Sequence, residues 1–222
     1  MRQSRHEEAE PVTERTLVHL VRHGEVHNPG KVLYGRLDGF HLSERGHAMA
    51  QVVADHLAGR DITYLVSSPL TRAQETIAPL AERLGLPVTL DDRVVEAANS
   101  FEGEQVSLGN FLRPRNLIRM YDVTKPSWGE PYVEIVERMT AAVEAAREAA
   151  IGHEAVIVSH QLPVWMMRAA VEGRRLWHDP RSRLCSLASV TSIGFHGTEI
   201  ASLSYAEPAK NLIDAESASV GA

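Results

Sequence analysis

Three short apolar runs, each breaking off at a turn that carries reactive side chains, constrain this chain more than anything else in it. Residues 16–21 (TLVHLV) run into Arg22-His23-Gly24. Residues 64–67 (YLVS) run into Ser68-Pro69, shortly before Arg72, and residues 155–159 (AVIVS) end at His160. Continuous apolar runs of this length, rich in β-branched residues, read as buried strands. Helix patterns alternate with them. Ser43 is a capping residue for a helix to about residue 58, with Ala48, Val52 and Leu57 on one side. A helix over about 70–84 meets its stop signals at Gly85 and Pro87, and residues 88–90 form a short strand. Residues 132–150 are strong helix formers, and 161–172 continue in the same manner. Two alternating segments, 188–195 and 199–205, meet at a turn predicted at His196-Gly197. Such alternation specifies an α/β domain with a largely parallel sheet, which binds ligands outside the carboxyl ends of its strands. Three strand ends here carry candidate chemistry.

A chain of 222 residues can bury roughly 70% of its extended surface, so one sizeable core needs no disulfide or structural metal. The expected organisation is a single domain over 16–206 between polar tails, 1–15 and 207–222. With 29 acidic and 23 basic residues the net charge is −6, which disfavours a duplex nucleic-acid binder but leaves room for a local basic pocket. Cys185 is the only cysteine, so there is no disulfide framework and no cysteine-based zinc site. No apolar run approaches about 18 residues, and the polar start MRQSRHEEAE is no secretory signal. The expectation is a cytoplasmic enzyme or binding protein with no membrane partner.

The strand ends suggest chemistry on an anion. Arg22 offers planar donors to a phosphoryl group. His23 must be neutral to attack phosphorus, and neighbouring positive charge disfavours its protonation. One ring nitrogen then attacks while an acceptor holds the other. Gly24 lets the backbone turn. Arg72 lies near a helix start, where free N–H groups attract anions. His160 closes a second strand, and Glu96 is a candidate proton donor to a leaving alcohol. Each has a plainer reading when taken alone. An RHG tripeptide can simply close a strand, a lone arginine is usually solvated, and a lone glutamate is usually on the surface. His19 and His23, four apart on a strand, form no known metal motif.

Together the segments are far more specific. LVRHGE, HLSERGHAMA, SSPLTRAQETI, the Glu96 segment leading to FEG, and VSH, in that order, resemble the histidine phosphatase superfamily, which contains the cofactor-dependent phosphoglycerate mutases. The resemblance spans residues 17–171. It implies a three-layer α/β/α fold with a mostly parallel central sheet, phosphoglycerate mutase-like. It also implies a catalytic set of His23, Arg22, Arg72, His160 and Glu96. His23 would be the nucleophile that forms a phosphohistidine. Arg22, Arg72 and a protonated His160 would bind the phosphoryl group, and Glu96 would be the acid and base. Asn28 resembles a further pocket residue, one position closer to His23 than in many members. No cofactor and no metal are implied. The implied partner is a small phosphorylated substrate rather than nucleic acid, and a homodimer is left open.

The chain departs from the family pattern in two places. Gln161 stands where glycine commonly follows the second histidine, and could narrow the pocket or contact the substrate. The segment Glu96-Ala97-Ala98-Asn99-Ser100-Phe101-Glu102-Gly103 is closer to the phosphatase branch than to the mutases, but one residue short, so Glu102 is the alternative proton donor. A phosphomonoester hydrolase is the leading expectation. A phosphoglycerate mutase is the alternative, and a non-catalytic phosphate-ligand binder on the same fold a lesser one. The stretch 104–131, with Arg113, Arg115, Arg119, Lys125, Phe111, Tyr121 and Trp128, reads as a substrate-facing insertion or a solvated basic helix. A second basic cluster, Arg174, Arg175, Arg181 and Arg183 around Trp177-His178, reads as surface, with a substrate role as the alternative.

Overall fold

The structure, a computed structural model, describes residues 15–105 and 129–213. The basic and aromatic residues 111–128 of the insertion, and the tail residues 1–14 and 214–222, lie outside the described residues. Six strands form one sheet: β1 (Arg15–Arg22), β2 (Ile62–Ser67), β3 (Val88–Leu90), β4 (Glu154–Ser159), β5 (Val190–His196) and β6 (Glu199–Ala206). Their order is β3-β2-β4-β1-β5-β6. The pairings β3/β2, β2/β4 and β4/β1 are parallel, while β1/β5 and β5/β6 are antiparallel. The sheet is therefore mostly parallel, with an antiparallel hairpin at one edge.

Strand alternation sorts the core into two layers. Val18 and Leu20 of β1, with Ala155 and Ile157 of β4, face α3 (Tyr132–Ala149) and α4 (Gln161–Val171). Val21, Val156 and Val158 face the other way, onto α1 (Glu44–Leu57) and α2 (Thr71–Leu84). This is the expected three-layer α/β/α arrangement. Ser43 caps α1 by accepting from the Gly46 N–H at 3.0 Å, and Gly85 closes α2 in the left-handed region at φ 65°.

Three details differ from the sequence reading. The buried stripe of α1 is Met49, Ala50, Val53, Ala54 and Leu57, while Ala48 is exposed. The β5–β6 turn falls at Gly197-Thr198, with Gly197 at φ 61°, a conformation that glycine adopts without steric cost. Finally, β5 begins at Val190 rather than at residue 188, because Ala188 sits at φ 53° and cannot be part of a strand. Packing also continues past the boundary expected at 206. Ala209 is buried in the layer that holds α1, with Leu212 and Ile213 against it.

β1 and β4 are neighbours, yet the chain leaves β1 toward α1 on one face and leaves β4 toward α4 on the other. Their carboxyl ends therefore flank a crevice, the usual ligand position in an open α/β sheet.

Candidate active site

Strand register explains why distant residues meet there. Arg22 of β1 is level with Ser159 of β4, so His23 and His160 step off the sheet side by side. Their ring centroids are 5.1 Å apart. Ser67 of β2 is level with Val158, which brings Ser68 alongside. The His160 Nε2 and the Ser68 hydroxyl are hydrogen-bonded at 2.8 Å. Arg72 arrives from the first turn of α2, and Glu96 from the loop after a 3-10 turn at Asp92–Val94. That turn is tied to β4 by the Ser159 hydroxyl, which donates to the Val94 carbonyl at 2.7 Å. Five of the sequence-predicted residues thus come together, and all are buried: His23 and His160 are 0% exposed, Arg72 1%, Arg22 3% and Glu96 4%.

Each of the five keeps a buried polar atom with no hydrogen-bond partner among the described residues. These atoms are His23 Nε2, His160 Nδ1, Arg22 Nε, Arg72 Nε and Glu96 Oε2. Buried polar atoms are nearly always satisfied, so such a concentration marks a place for a missing polar group. The other atoms of these side chains are well held. His23 Nδ1 lies 2.8 Å from the Gly24 carbonyl oxygen and donates to it, which leaves Nε2 as the ring's lone pair. Arg22 Nη1 donates to the Cys185 carbonyl at 2.7 Å. Arg72 Nη2 donates to the Gly35 carbonyl at 2.6 Å, and its guanidinium lies 4.7 Å from the Tyr34 ring centroid. Glu96 Oε1 accepts from the Ala97 N–H at 2.9 Å.

The site sets two buried guanidinium groups against one buried carboxyl. Neither Arg22 nor Arg72 makes an ion pair among the described residues, so two buried guanidinium charges stand uncompensated, a costly arrangement unless an anion joins them. Both helices that start at the crevice, α2 and α4, lack a side-chain cap, which leaves their first N–H groups available. Burial, then the charges of Arg72 and Arg22, hold the His23 imidazole well below the usual histidine range. Burial, Arg72, His23 and Arg22 do the same to His160. Both shifts favour the neutral imidazole. Burial pushes the Glu96 carboxyl up, against the Ala97 hydrogen bond and the arginines. The arrangement offers a neutral imidazole lone pair, fixed cationic donors for a tetrahedral anion, and a carboxyl that is readily protonated.

Other expected residues are employed differently. Both polar atoms of the Asn28 side-chain amide close its own loop, Nδ2 donating to the Val32 carbonyl at 2.8 Å and Oδ1 accepting from the Val32 N–H at 3.0 Å. Glu102 Oε1 accepts from the backbone N–H groups of Arg36 at 3.0 Å and Asn99 at 3.3 Å. Gln161 opens α4, and its Oε1 accepts from Arg183 Nη1 at 3.4 Å. Gly24 does not turn with a positive φ; a Cβ there would lie 2.7 Å from the Gly46 carbonyl oxygen. Its role is close approach of the β1 loop to α1. One residue carried no signal in the sequence. Tyr34 packs edge-on to His23 with centroids 6.4 Å apart and lies beneath Arg72, but no spacing rule marks it. Arg183, of the second basic cluster, is partly buried and hydrogen-bonded to His178 and Gln161. Among the described residues, no group of three or more His, Cys, Asp or Glu side chains is placed to hold a metal ion, and no helix is long and apolar enough to cross a membrane.

Comparison with known proteins shows the family. The sequence profile of the histidine phosphatase superfamily (branch 1) matches residues 18–208. Rv0525, an uncharacterised protein of Mycobacterium tuberculosis (strain ATCC 25618 / H37Rv), is 54% identical over 198 residues, spanning 88% of this chain and 98% of its own. A probable phosphoglycerate mutase of Yersinia pestis (strain Pestoides F), GpmB, is 29% identical over 183 residues, 78% of this chain and 83% of its own. The mycobacterial glucosyl-3-phosphoglycerate phosphatase Rv2419c superposes with a TM-score of 0.68 at 27% identity, covering 86% of this chain and 96% of that one.

Proposed function

The chain belongs to branch 1 of the histidine phosphatase superfamily, and from that premise we propose that it is a metal-independent phosphomonoester hydrolase acting through a phosphohistidine on His23. The superfamily's phosphatases and mutases support a phosphoryl-handling enzyme. The observation that carries the reading is the convergence of five unpartnered buried polar atoms around two uncompensated arginines.

The chemistry follows from those groups. Phosphoryl transfer needs positioning and charge stabilisation more than anything else. Arg22 and Arg72 bind the equatorial oxygens. The neutral His23 Nε2 attacks phosphorus as the ester P–O bond breaks, and Glu96 gives its proton to the departing alkoxide. Water then attacks the phosphohistidine and loses a proton to the Glu96 carboxylate. The N–P bond breaks, inorganic phosphate leaves, and both side chains are restored. Bound phosphate brings negative charge beside His160, which favours its protonated form and a further donor to the transition state.

One finding favours a second reading, a phosphoglycerate mutase: the 29% identity to the Yersinia protein of that name. Glu96-Ala97-Ala98-Asn99 favours hydrolysis, since it departs from the Glu-Arg pattern of the mutases. Product analysis with 3-phosphoglycerate and a bisphosphoglycerate primer separates the two. A panel of phosphorylated metabolites, assayed with and without EDTA, extends the comparison. We expect inorganic phosphate, unaffected by chelation and abolished in His23→Ala. Isomerised phosphoglycerate without phosphate release would establish the mutase instead. EDTA-sensitive activity restored by one metal ion would refute metal independence.

A further inference from the structure

Arg183 differs from its neighbours in the basic cluster. Arg174 pairs with Glu172 at 2.6 Å, and Arg181 pairs with Asp179 at 2.8 Å on the surface. Arg183 makes no ion pair among the described residues, and its partners are neutral. Its Nε donates to His178 Nε2 at 2.8 Å, and its Nη1 to Gln161 Oε1 at 3.4 Å. His178 is fixed for this task. Its Nδ1 donates to the Leu176 carbonyl at 2.7 Å, so Nε2 is the acceptor, and its ring is packed between Tyr132 and Trp165 with centroids 5.6 Å and 5.7 Å away. Burial pushes the Arg183 guanidinium down, and its charge acts on both Glu96 and Arg22 at the phosphoryl site. The second acceptor, Gln161, stands where the resembled family commonly has glycine. A cation held beside the reaction centre by two neutral acceptors is oriented but not neutralised.

We propose that Arg183, positioned by His178 and Gln161, is a second anion-binding group that selects phosphoryl substrates bearing another negative charge, a carboxylate or a second phosphate. This rests on the reading of the His23 site as a phosphoryl-transfer centre and narrows its substrate class. A guanidinium suits either anion, because its planar donors match both carboxylate and phosphate oxygens.

The test is calorimetric binding of paired phosphonates to the full chain, which needs no turnover. Each pair is a phosphonocarboxylate and its neutral amide, at three chain lengths, with bisphosphonates of the same lengths as a third arm. At one or more lengths the charged ligand should bind about 10–100-fold more tightly than the amide, the range for a charge-assisted hydrogen bond. Arg183→Gln should reduce that ratio to within about threefold, Arg183→Lys should keep part of it, and Gln161→Gly should weaken it. Because the readout is a ratio, general effects of a substitution on the site cancel. If Arg183→Gln binds neither ligand, the Arg183→Lys ratio decides. The carboxylate and bisphosphonate arms tell which anion is read. Equal binding of acid and amide at every length would overturn the proposal. So would a preference that survives Arg183→Gln, or a shifted pH–rate profile in that variant with the ratio intact, which would make Arg183 a positioning residue for Glu96. A chain that shows the ratio but turns over no phosphomonoester would refute the phosphohydrolase reading and leave the subsite standing.

Discussion

Glu96 and Glu102 lie six residues apart and are employed in opposite ways. Glu102 holds two backbone N–H groups of the loop, whereas Glu96 is buried with one oxygen unpartnered and its carboxyl pushed up. Sequence could not separate them, because the difference lies in what each side chain touches. An alkyl phosphate leaves as a basic alkoxide and needs a proton; a nitrophenyl ester leaves as a stable anion and needs little help. Glu96→Gln should therefore slow single-turnover phosphorylation by alkyl esters by about 10²–10⁴-fold, with a much smaller loss for p-nitrophenyl phosphate. Equal losses for both esters, or a leaving-group effect confined to Glu102→Gln, would move the acid. The pH profile follows from the same two groups. His23 is held below 6.5, so its attacking form is lost only as pH falls through the lowered value. Glu96 is raised above 4.5, so its acid form survives past the usual carboxylate range and is lost as pH rises through the raised value. For alkyl esters, kcat/KM should show an acid limb below 6.5 and an alkaline limb that disappears in Glu96→Gln.

At the scale of elements, the β1 loop and α1 touch through two glycines. A Cβ on Gly46 would lie 2.0 Å from the Glu25 carbonyl oxygen, and one on Gly24 would meet the Gly46 carbonyl oxygen. Gly24 also supplies the carbonyl that holds His23 Nδ1. Gly46→Ala must push the loop from the helix. It should cost about 1–3 kcal/mol of stability, as overpacking does, and lower kcat more than it raises KM, because the His23 ring moves. Thermal unfolding and steady-state kinetics check this; a variant with native stability and kcat would refute it. Much at this scale was legible in the sequence. Ser43 and Gly85 are chemical punctuation, and the apolar runs left few alternatives to buried strands. What escaped needed partners to define it. The β4/β1 register that sets His23 beside His160 is invisible in either strand alone. Ala188 alternates correctly for a strand but is bent to φ 53°, where its N–H donates to the His23 carbonyl at 3.2 Å. Asn28 resembles a pocket residue in type and place, but its side-chain bonds to Val32 close its own loop, which only the folded chain shows.

The whole molecule carries a net charge of −6, yet it gathers two buried arginines without ion pairs at the carboxyl ends of the central strands, a distribution suited to capturing a small anion. That concentration also affects stability. His23, His160 and His19 are all held below 6.5, so as pH falls from 6.5 the unfolded chain binds protons that the folded chain refuses, and stability drops. Glu96 acts in the opposite sense, since the folded chain protonates it first, but one carboxyl is set against these three histidines and His178, which is lowered as well. Each histidine contributes a slope of at most about 1.4 kcal/mol per pH unit until its lowered value is reached. The melting temperature should therefore fall between pH 7 and 5.5. Phosphate or orthovanadate should shrink that fall by compensating protonated His160; an equal fall with and without the anion would contradict the account. Covalent capture of the phosphoryl group by His23 can be trapped by rapid quench of a single turnover with a labelled phosphomonoester. An acid-labile, base-stable label that maps to His23 should appear before inorganic phosphate. Complete turnover of a competent substrate with no label on His23 would contradict covalent capture.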